Sequence, residues 1–151
     1  MQVVLSVGRS CKFDFLKKLV IRLTSVLNRA EKRVSIGEKP YIITSYVGSS
    51  SIEVFLLTDD ESRNLITSCS VDMNTGLISS VVTITSYRRK GFCEFLLRFV
   101  IEEYGANYLF VLPYNIPAIR LYAKLGFRVT DQVILPTNEV AFTMRLKEDH
   151  I

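Results

Sequence analysis

The sequence predicts a single mixed α/β domain spanning residues 1–151, with a central, mostly antiparallel sheet of about seven strands and helices on both faces. Three observations carry this expectation. β-rich runs between residues 41 and 86 are joined by short polar turns, which makes an antiparallel meander. From residue 91 onward helical and strand patterns alternate, the mark of crossovers that lay helices on a sheet. Finally, 151 residues with 48% hydrophobic content can build one self-contained core, whereas two domains would each be smaller than usual.

Residues 2–7 (QVVLSV) read as a short strand. Between Phe13 and Ala30, the residues Leu16, Leu19, Val20, Leu23, Leu27 and Ala30 recur every third or fourth position, which predicts an amphipathic helix. Residues 31–40 are polar, end at Pro40 and read as a connection. Tyr41–Val47 is an extended run stopped by Gly48 and serines. Ser51–Thr58 is rich in branched and aromatic residues and closes at Asp59-Asp60-Glu61-Ser62. Asn64–Val71 follows, ended by Asp72-Met73-Asn74-Thr75-Gly76, and Leu77–Ser86 is apolar and β-branched like a central strand.

Gly91–Tyr104 is apolar nearly all round, with Gly105 placed to end a helix. Ala106–Leu112 is a strand stopped by Pro113. Asn115–Leu125 is a short helix with an asparagine cap and Gly126 just past its end. Phe127–Leu135 is a strand, and residues 140–146 alternate apolar with polar as a last strand with one buried face. The sequence leaves the oligomeric state open; if that last strand is exposed, its free edge can pair with a second copy as a homodimer.

The only histidine is His150, which removes Ser-His-Asp chemistry, Cys-His chemistry and histidine-rich metal sites from the ordered core. No metal is expected. The three cysteines, Cys11, Cys69 and Cys93, show no CxxC spacing and read as reduced thiols in a cytoplasmic setting. The N-terminus lacks a secretory pattern, and no apolar run approaches the ~18 residues of a membrane span, so no membrane association is expected. A charge balance of 19 basic to 15 acidic residues suits a polyanionic ligand, either nucleic acid or a phosphorylated cofactor.

Two constellations carry chemistry. Tyr87-Arg88-Arg89-Lys90-Gly91-Phe92-Cys93 lies between a buried strand and an apolar helix. A basic loop with a glycine at a helix start is a phosphate site in physical terms, because first-turn N–H groups point outward and the helix dipole adds about half a positive charge. It is neither a Walker loop nor a GxGxxG fingerprint. The second is Asn115–Phe127, where a capped helix, a core face (Ala118, Leu121, Tyr122, Leu125) and a glycine stop explain most residues structurally.

Together the two resemble the GCN5-related N-acetyltransferase (GNAT) superfamily. Its [RQ]xxGx[GA] loop is matched by Arg88-Arg89-Lys90-Gly91-Phe92-Cys93, and its later Nxx(A)xxxYxxxGF helix by Asn115, Ala118, Tyr122, Gly126 and Phe127. The resemblance implies that acetyl-CoA binds and that an acetyl group passes to a primary amine. Backbone groups of Val81, Val82 and Thr83 would pair with the pantetheine arm, and N–H groups from Arg89 to Cys93, beside Arg88, would hold the pyrophosphate. Asn115 would contact the cofactor arm near the thioester. Tyr122 would protonate the departing thiolate, with no covalent enzyme intermediate.

This sequence departs from the pattern in places. Cys93 stands where the loop usually has Gly or Ala, and a thiol at a helix start tends to acidify. The strand Leu77–Ser86 carries no carboxylate, although some relatives use a glutamate there as base; Glu53 and Asp72 are the neighbouring candidates. The acidic residues Glu53, Asp59, Asp60, Glu61 and Glu139 would suit a cationic acceptor. A CoA-binding module without catalysis is the alternative. The sequence lacks an aromatic RNA motif or recognition helix, which argues against nucleic acid.

Overall fold

The computed structural model describes residues 28–147. The expected strand at residues 2–7, most of the expected helix at 13–30, Cys11 and His150 lie outside the described residues.

Strands β1 (Asn28–Ile36) and β2 (Lys39–Val47) form an antiparallel hairpin. The stretch 31–40 is therefore not a connection, and the last residues assigned to the helix, Asn28–Ala30, begin a strand. The difference has a physical cause. β1 is an edge strand whose residues from Arg29 to Arg33 are all exposed, and edge strands carry charges that blunt pairing and erase the apolar alternation.

The meander follows as expected in β3 (Ser51–Thr58), β4 (Leu65–Asp72) and β5 (Leu77–Thr83), all antiparallel. β5 is shorter than the run Leu77–Ser86, because Thr85–Tyr87 coil into a 3₁₀ turn. Helix α1 (Phe92–Tyr104), strand β6 (Tyr108–Val111), helix α2 (Ile116–Leu125) and strands β7 (Phe127–Ile134) and β8 (Val140–Leu146) complete the described chain. Gly105 and Gly126 end the two helices in the left-handed conformation, as their positions predict.

The described residues build one sheet of eight strands, one more than expected, in the order β1-β2-β3-β4-β5-β6-β8-β7. Only the β5–β6 pair is parallel. β8 is not an exposed last strand: it pairs with both β6 and β7, and β7 is the edge. The β7–β8 hairpin folds back so that β8, with buried Ala141, Thr143 and Met144, takes the inner place.

Both described helices cover the same face. Tyr104 Oη donates to Ser45 Oγ at 2.8 Å, and the Phe92 ring meets Tyr41 at 5.2 Å. Tyr122 of α2 packs edge-on against Phe127 at 6.1 Å, and Lys124 Nζ reaches Glu94 of α1 at 3.2 Å. Val54, Leu56, Ile66, Ile78, Leu97, Val100, Leu109 and Phe127 are fully enclosed between these layers. Each such side chain contributes about 1.5–3 kcal/mol through burial.

The two halves of the sheet touch through very few contacts. β5 and β6 pair only at Leu77–Tyr108 and Ile78–Leu109, and then diverge. Below the pair, Asn107 N donates to Gly76 O at 3.0 Å, and Leu146 N donates to Asn107 O at 2.8 Å, tying β5, β6 and β8 together. Above it, the β4–β5 register slips between Ser68 and Ser70, and Ser80 takes φ +53. A bulge of this kind bends and twists a strand away from its neighbour.

Gly76 is the tightest point of this junction. Its φ is +81, and a Cβ there would lie 2.8 Å from Asn107 Oδ1. Gly76→Ala is expected to lose roughly 1–3 kcal/mol, from left-handed strain plus displacement of Asn107. Chemical denaturation of the variant measures it, and parent-like stability would show that the junction is not under this constraint.

Candidate functional site

Where β5 and β6 part, a cleft of about 500 Å³ opens on the helical side of the sheet. Val81, Val82 and Thr83 form one wall, Tyr87, Arg88, Arg89 and Gly91 the rim, and Phe92, Cys93 and Glu94 the floor at the start of α1. Asn115, Pro117, Ala118, Leu121, Tyr122 and Lys124 close it from the side of α2. Of the residues that the resemblance assigns to the cofactor and the reaction, all but Lys90 line this one cleft. Glu94 lies outside both constellations, while Tyr87, Pro117 and Lys124 belong to them without an assigned role. Pro117 and Lys124 flank Ala118, Leu121 and Tyr122, which sequence periodicity had placed on the core face; the cleft cuts into that face.

The rim is built for an anion. Arg89 has φ +61 and Gly91 φ +83, so the loop turns through two left-handed residues before α1 begins. No side chain caps the first turn of α1, and the space where Gly91 would carry a Cβ is open. The free N–H groups of that turn, the helix dipole and the adjacent arginines make one positive end. Arg88 Nε donates back to Thr83 O at 3.3 Å, which fixes its guanidinium at the top of β5.

Beyond Ile78 the edge of β5 facing β6 has no strand partner among the described residues, so its backbone groups are available to an extended ligand. Behind it, Thr67 Oγ1 donates to Val82 O at 2.8 Å and lies 3.0 Å from Thr83 Oγ1.

The thiol of Cys93 is pushed up by burial, with hydrogen bonds to Thr83 and Thr67 pulling the other way. Burial outweighs the acidification expected at a helix start, so Cys93 is a neutral thiol and not a poised nucleophile. Cys69, fully buried behind it, is also pushed up by burial.

Tyr122 is 2% exposed, yet it lines the cleft. Burial holds its phenol well above the ordinary tyrosine value, and the neighbouring Cys93 and Cys69 add to this. It therefore stays protonated at neutral pH, a donor rather than a base. Its hydroxyl has no hydrogen-bond partner among the described residues. Asn115, which lines the cleft, caps α2 through Oδ1, which accepts from Ala118 N at 3.4 Å.

The acidic candidates lie elsewhere. Asp72 Oδ1 accepts from Asn74 N and Thr75 N and is a turn residue, its carboxyl lowered by those bonds. Asp60 caps its own turn, Asp59 faces Arg33 at 3.9 Å, and Glu139 accepts from Tyr114 Oη at 3.2 Å. None of these lines the cleft, nor does Glu53. Among the described residues no three His, Cys, Asp or Glu side chains converge as a metal site, and no helix is long and apolar enough to cross a membrane.

Residues 52–127, half of the chain, match the profile of the acetyltransferase (GNAT) family. The chain belongs to that family. No curated protein sequence matches it. Its fold is similar to Arabidopsis thaliana NAA60 in complex with acetyl-CoA (TM-score 0.52, 19% identity, 64% of this chain and 76% of that one). It is also similar to the ribosomal-protein-S18-alanine N-acetyltransferase from Escherichia coli (TM-score 0.53, 21% identity, covering 66% and 70%). A spermidine N-acetyltransferase SpeG chimera from Vibrio cholerae and hSSAT aligns over 95% of this chain and 82% of that one (TM-score 0.55, 14% identity). At these identities the likeness is one of fold. As a GNAT acetyltransferase the chain uses acetyl-CoA, and the cleft fits it: an open strand edge, a branch point and an uncapped helix start follow one another in line.

Glu94 marks the acidic limit of the positive end. Lys124 and Arg98 hold its carboxyl below the ordinary glutamate value. A lowered carboxyl stabilises the fold above its ordinary range, and that contribution is lost as pH falls through the folded-state value. Glu94→Gln should therefore be less stable than the parent at pH 7, with the difference closing in acid. Melting temperatures across that range read it, and a difference independent of pH would mean that the ion pairs are not its source.

Proposed function

We propose that this GNAT protein transfers the acetyl group of acetyl-CoA directly onto a primary amine, in a cytoplasmic setting that keeps Cys69 and Cys93 reduced. The observation that carries this reading is Tyr122: a buried, protonated phenol in the cleft where the sheet splits, with no hydrogen-bond partner among the described residues.

Acetyl-CoA supplies an activated acyl thioester when bound. Val81, Val82 and Thr83 would pair with its extended arm through the backbone. The loop from Arg89 to Cys93, with Arg88 beside it, would hold the pyrophosphate mainly through N–H groups. Asn115 would orient the arm near the reacting end. A backbone N–H at the bulge after Ser80 would receive the developing oxyanion, where fixed dipoles act without reorganisation. Tyr122 would give its proton to the leaving thiolate as the C–S bond breaks, and solvent would restore it. No step needs Cys93, whose buried neutral thiol suits packing against Thr67 and Thr83.

Three expected outcomes follow from these assignments. Gly91→Val places a branched side chain at φ +83 and in the open space before α1, so acetyl-CoA affinity should fall by more than tenfold, more than ~1.4 kcal/mol. Calorimetry decides it; parent-like affinity would remove the loop from the cofactor site. Tyr122→Phe removes a hydroxyl that has no partner among the described residues, so melting temperature and acetyl-CoA affinity should hold. Single-turnover acetylation should fall by ~10²–10⁴-fold, and an unchanged rate would take Tyr122 out of the mechanism. Cys93→Ala should keep turnover within about the threefold range that a repacked small side chain produces, whereas loss of all activity would point to a covalent route. Acetyl-CoA binding with no turnover on any amine would instead make the chain a binding module.

A further inference from the structure

We propose that Ser79, Ser70 and Glu53 form a relay that carries the proton away from the attacking amine; the inference rests on amine acetylation in this cleft and deepens it. An amine that attacks a thioester must shed a proton, yet β5 holds no carboxylate. Of the carboxylates, Glu94 is the one that lines the cleft, and it is engaged with Lys124 and Arg98 at the positive end.

The sheet register supplies another route. Tyr46 pairs with Glu53, Glu53 with Ser70 and Ser70 with Ser79, so four neighbouring strands place these residues on one rung. Residues directly opposite in antiparallel strands share a face, with Cβ atoms about 4.5–5.5 Å apart. That spacing lets adjacent hydroxyls exchange a hydrogen bond directly or through one water. Ser70 Oγ already donates to Glu53 Oε2.

The two ends of the row are what make it a relay. Ser79 is the first residue of β5 beyond the last rung with β6, immediately before the left-handed Ser80 and two residues before Val81, where the lining of the cleft begins. Glu53 is exposed and can pass a proton to water. The row lies on the face opposite the helices, because Ile78 and Val81 take the core side. Tyr122 approaches from the helical face. Proton removal and proton donation are thereby separated on the two sides of the reacting carbonyl.

The step balances. As the N–C bond forms, the amine proton passes to Ser79 Oγ, the Ser79 proton to Ser70 Oγ and the Ser70 proton to the Glu53 carboxylate. The C–S bond breaks and Tyr122 protonates the thiolate. Glu53 then releases its proton to water, and Tyr122 regains one. Ser70 and Glu53 act through Ser79 and are positioning residues. The groups that face Glu53 are Tyr46 on β2, Arg29 and Arg63 beyond Tyr46, and Cys69 through the sheet.

The test compares the parent with Glu53→Gln, Ser70→Ala and the double variant. Each is assayed with acetyl-CoA and the best acceptor from a panel of aliphatic amines and peptides with free N-termini. Near pH 7, kcat/KM should fall by ~10-fold or more in each single variant, and the double should be no worse than the worse single one. The deficit should shrink as pH rises and hydroxide takes over removal of the proton from the attacking nitrogen. Glu53→Asp should recover part of the rate, while melting temperature and acetyl-CoA affinity stay with the parent. A parent-like pH profile in Glu53→Gln, a loss equal at every pH, or additive losses would overturn the relay. A parent that binds acetyl-CoA yet acetylates nothing would overturn the function itself, and the relay with it.

Discussion

Two parallel rungs, Leu77–Tyr108 and Ile78–Leu109, hold the β1–β5 half of the sheet to the β6–β8 half, and everything functional follows from their ending there. A full parallel pairing would seal the backbone of β5 against β6. A missing one would leave two unconnected layers. Gly76, Asn107 and Leu146 lock the lower end, and the bulge at Ser80 bends β5 away above it. The open edge of β5, with its unmet hydrogen-bonding groups, is what an extended cofactor arm can pair with. The cleft is thus a consequence of strand geometry rather than of any single side chain.

Desolvation then sets the protonation states inside. The same enclosure that packs α2 on the sheet keeps Tyr122 as a phenol and Cys93 as a thiol, although a helix start favours thiolate. Charge is confined to the rim, where Arg88, Arg89 and the uncapped first turn of α1 gather positive potential. The cleft is accordingly cationic at one end and neutral at the reacting end, a gradient suited to a ligand with phosphates at one end and a thioester at the other.

The face opposite the helices is more polar along β3, β4 and β5, and the register alone aligns Glu53, Ser70 and Ser79 there. This arrangement gives a chain without a core histidine or a carboxylate on β5 a route for a proton. It divides the work by sheet face: core-side residues donate, and residues of the opposite face accept.

Much of this protein was legible in its amino-acid order. Local rules suffice for the meander, where turn residues stand between β-branched runs. They also suffice for α1 and α2, whose ends are written in Gly91, Gly105, Asn115 and Gly126. The loop Arg88–Cys93 and the helix holding Tyr122 carry enough local pattern to name the family and gather the cleft residues in advance. Other features could not be read, because they depend on what lies beside a residue in space. β1 looked like a connection, since an edge strand has no buried face to impose alternation. β8 looked like a free edge, since strand order is chosen by how the β7–β8 hairpin folds back and not by position along the chain. Cys93 could be read as acidified or inert until its burial was known. Glu53, Ser70 and Ser79 are unremarkable in sequence, separated by 17 and 9 residues, and only the register of three strands makes them neighbours.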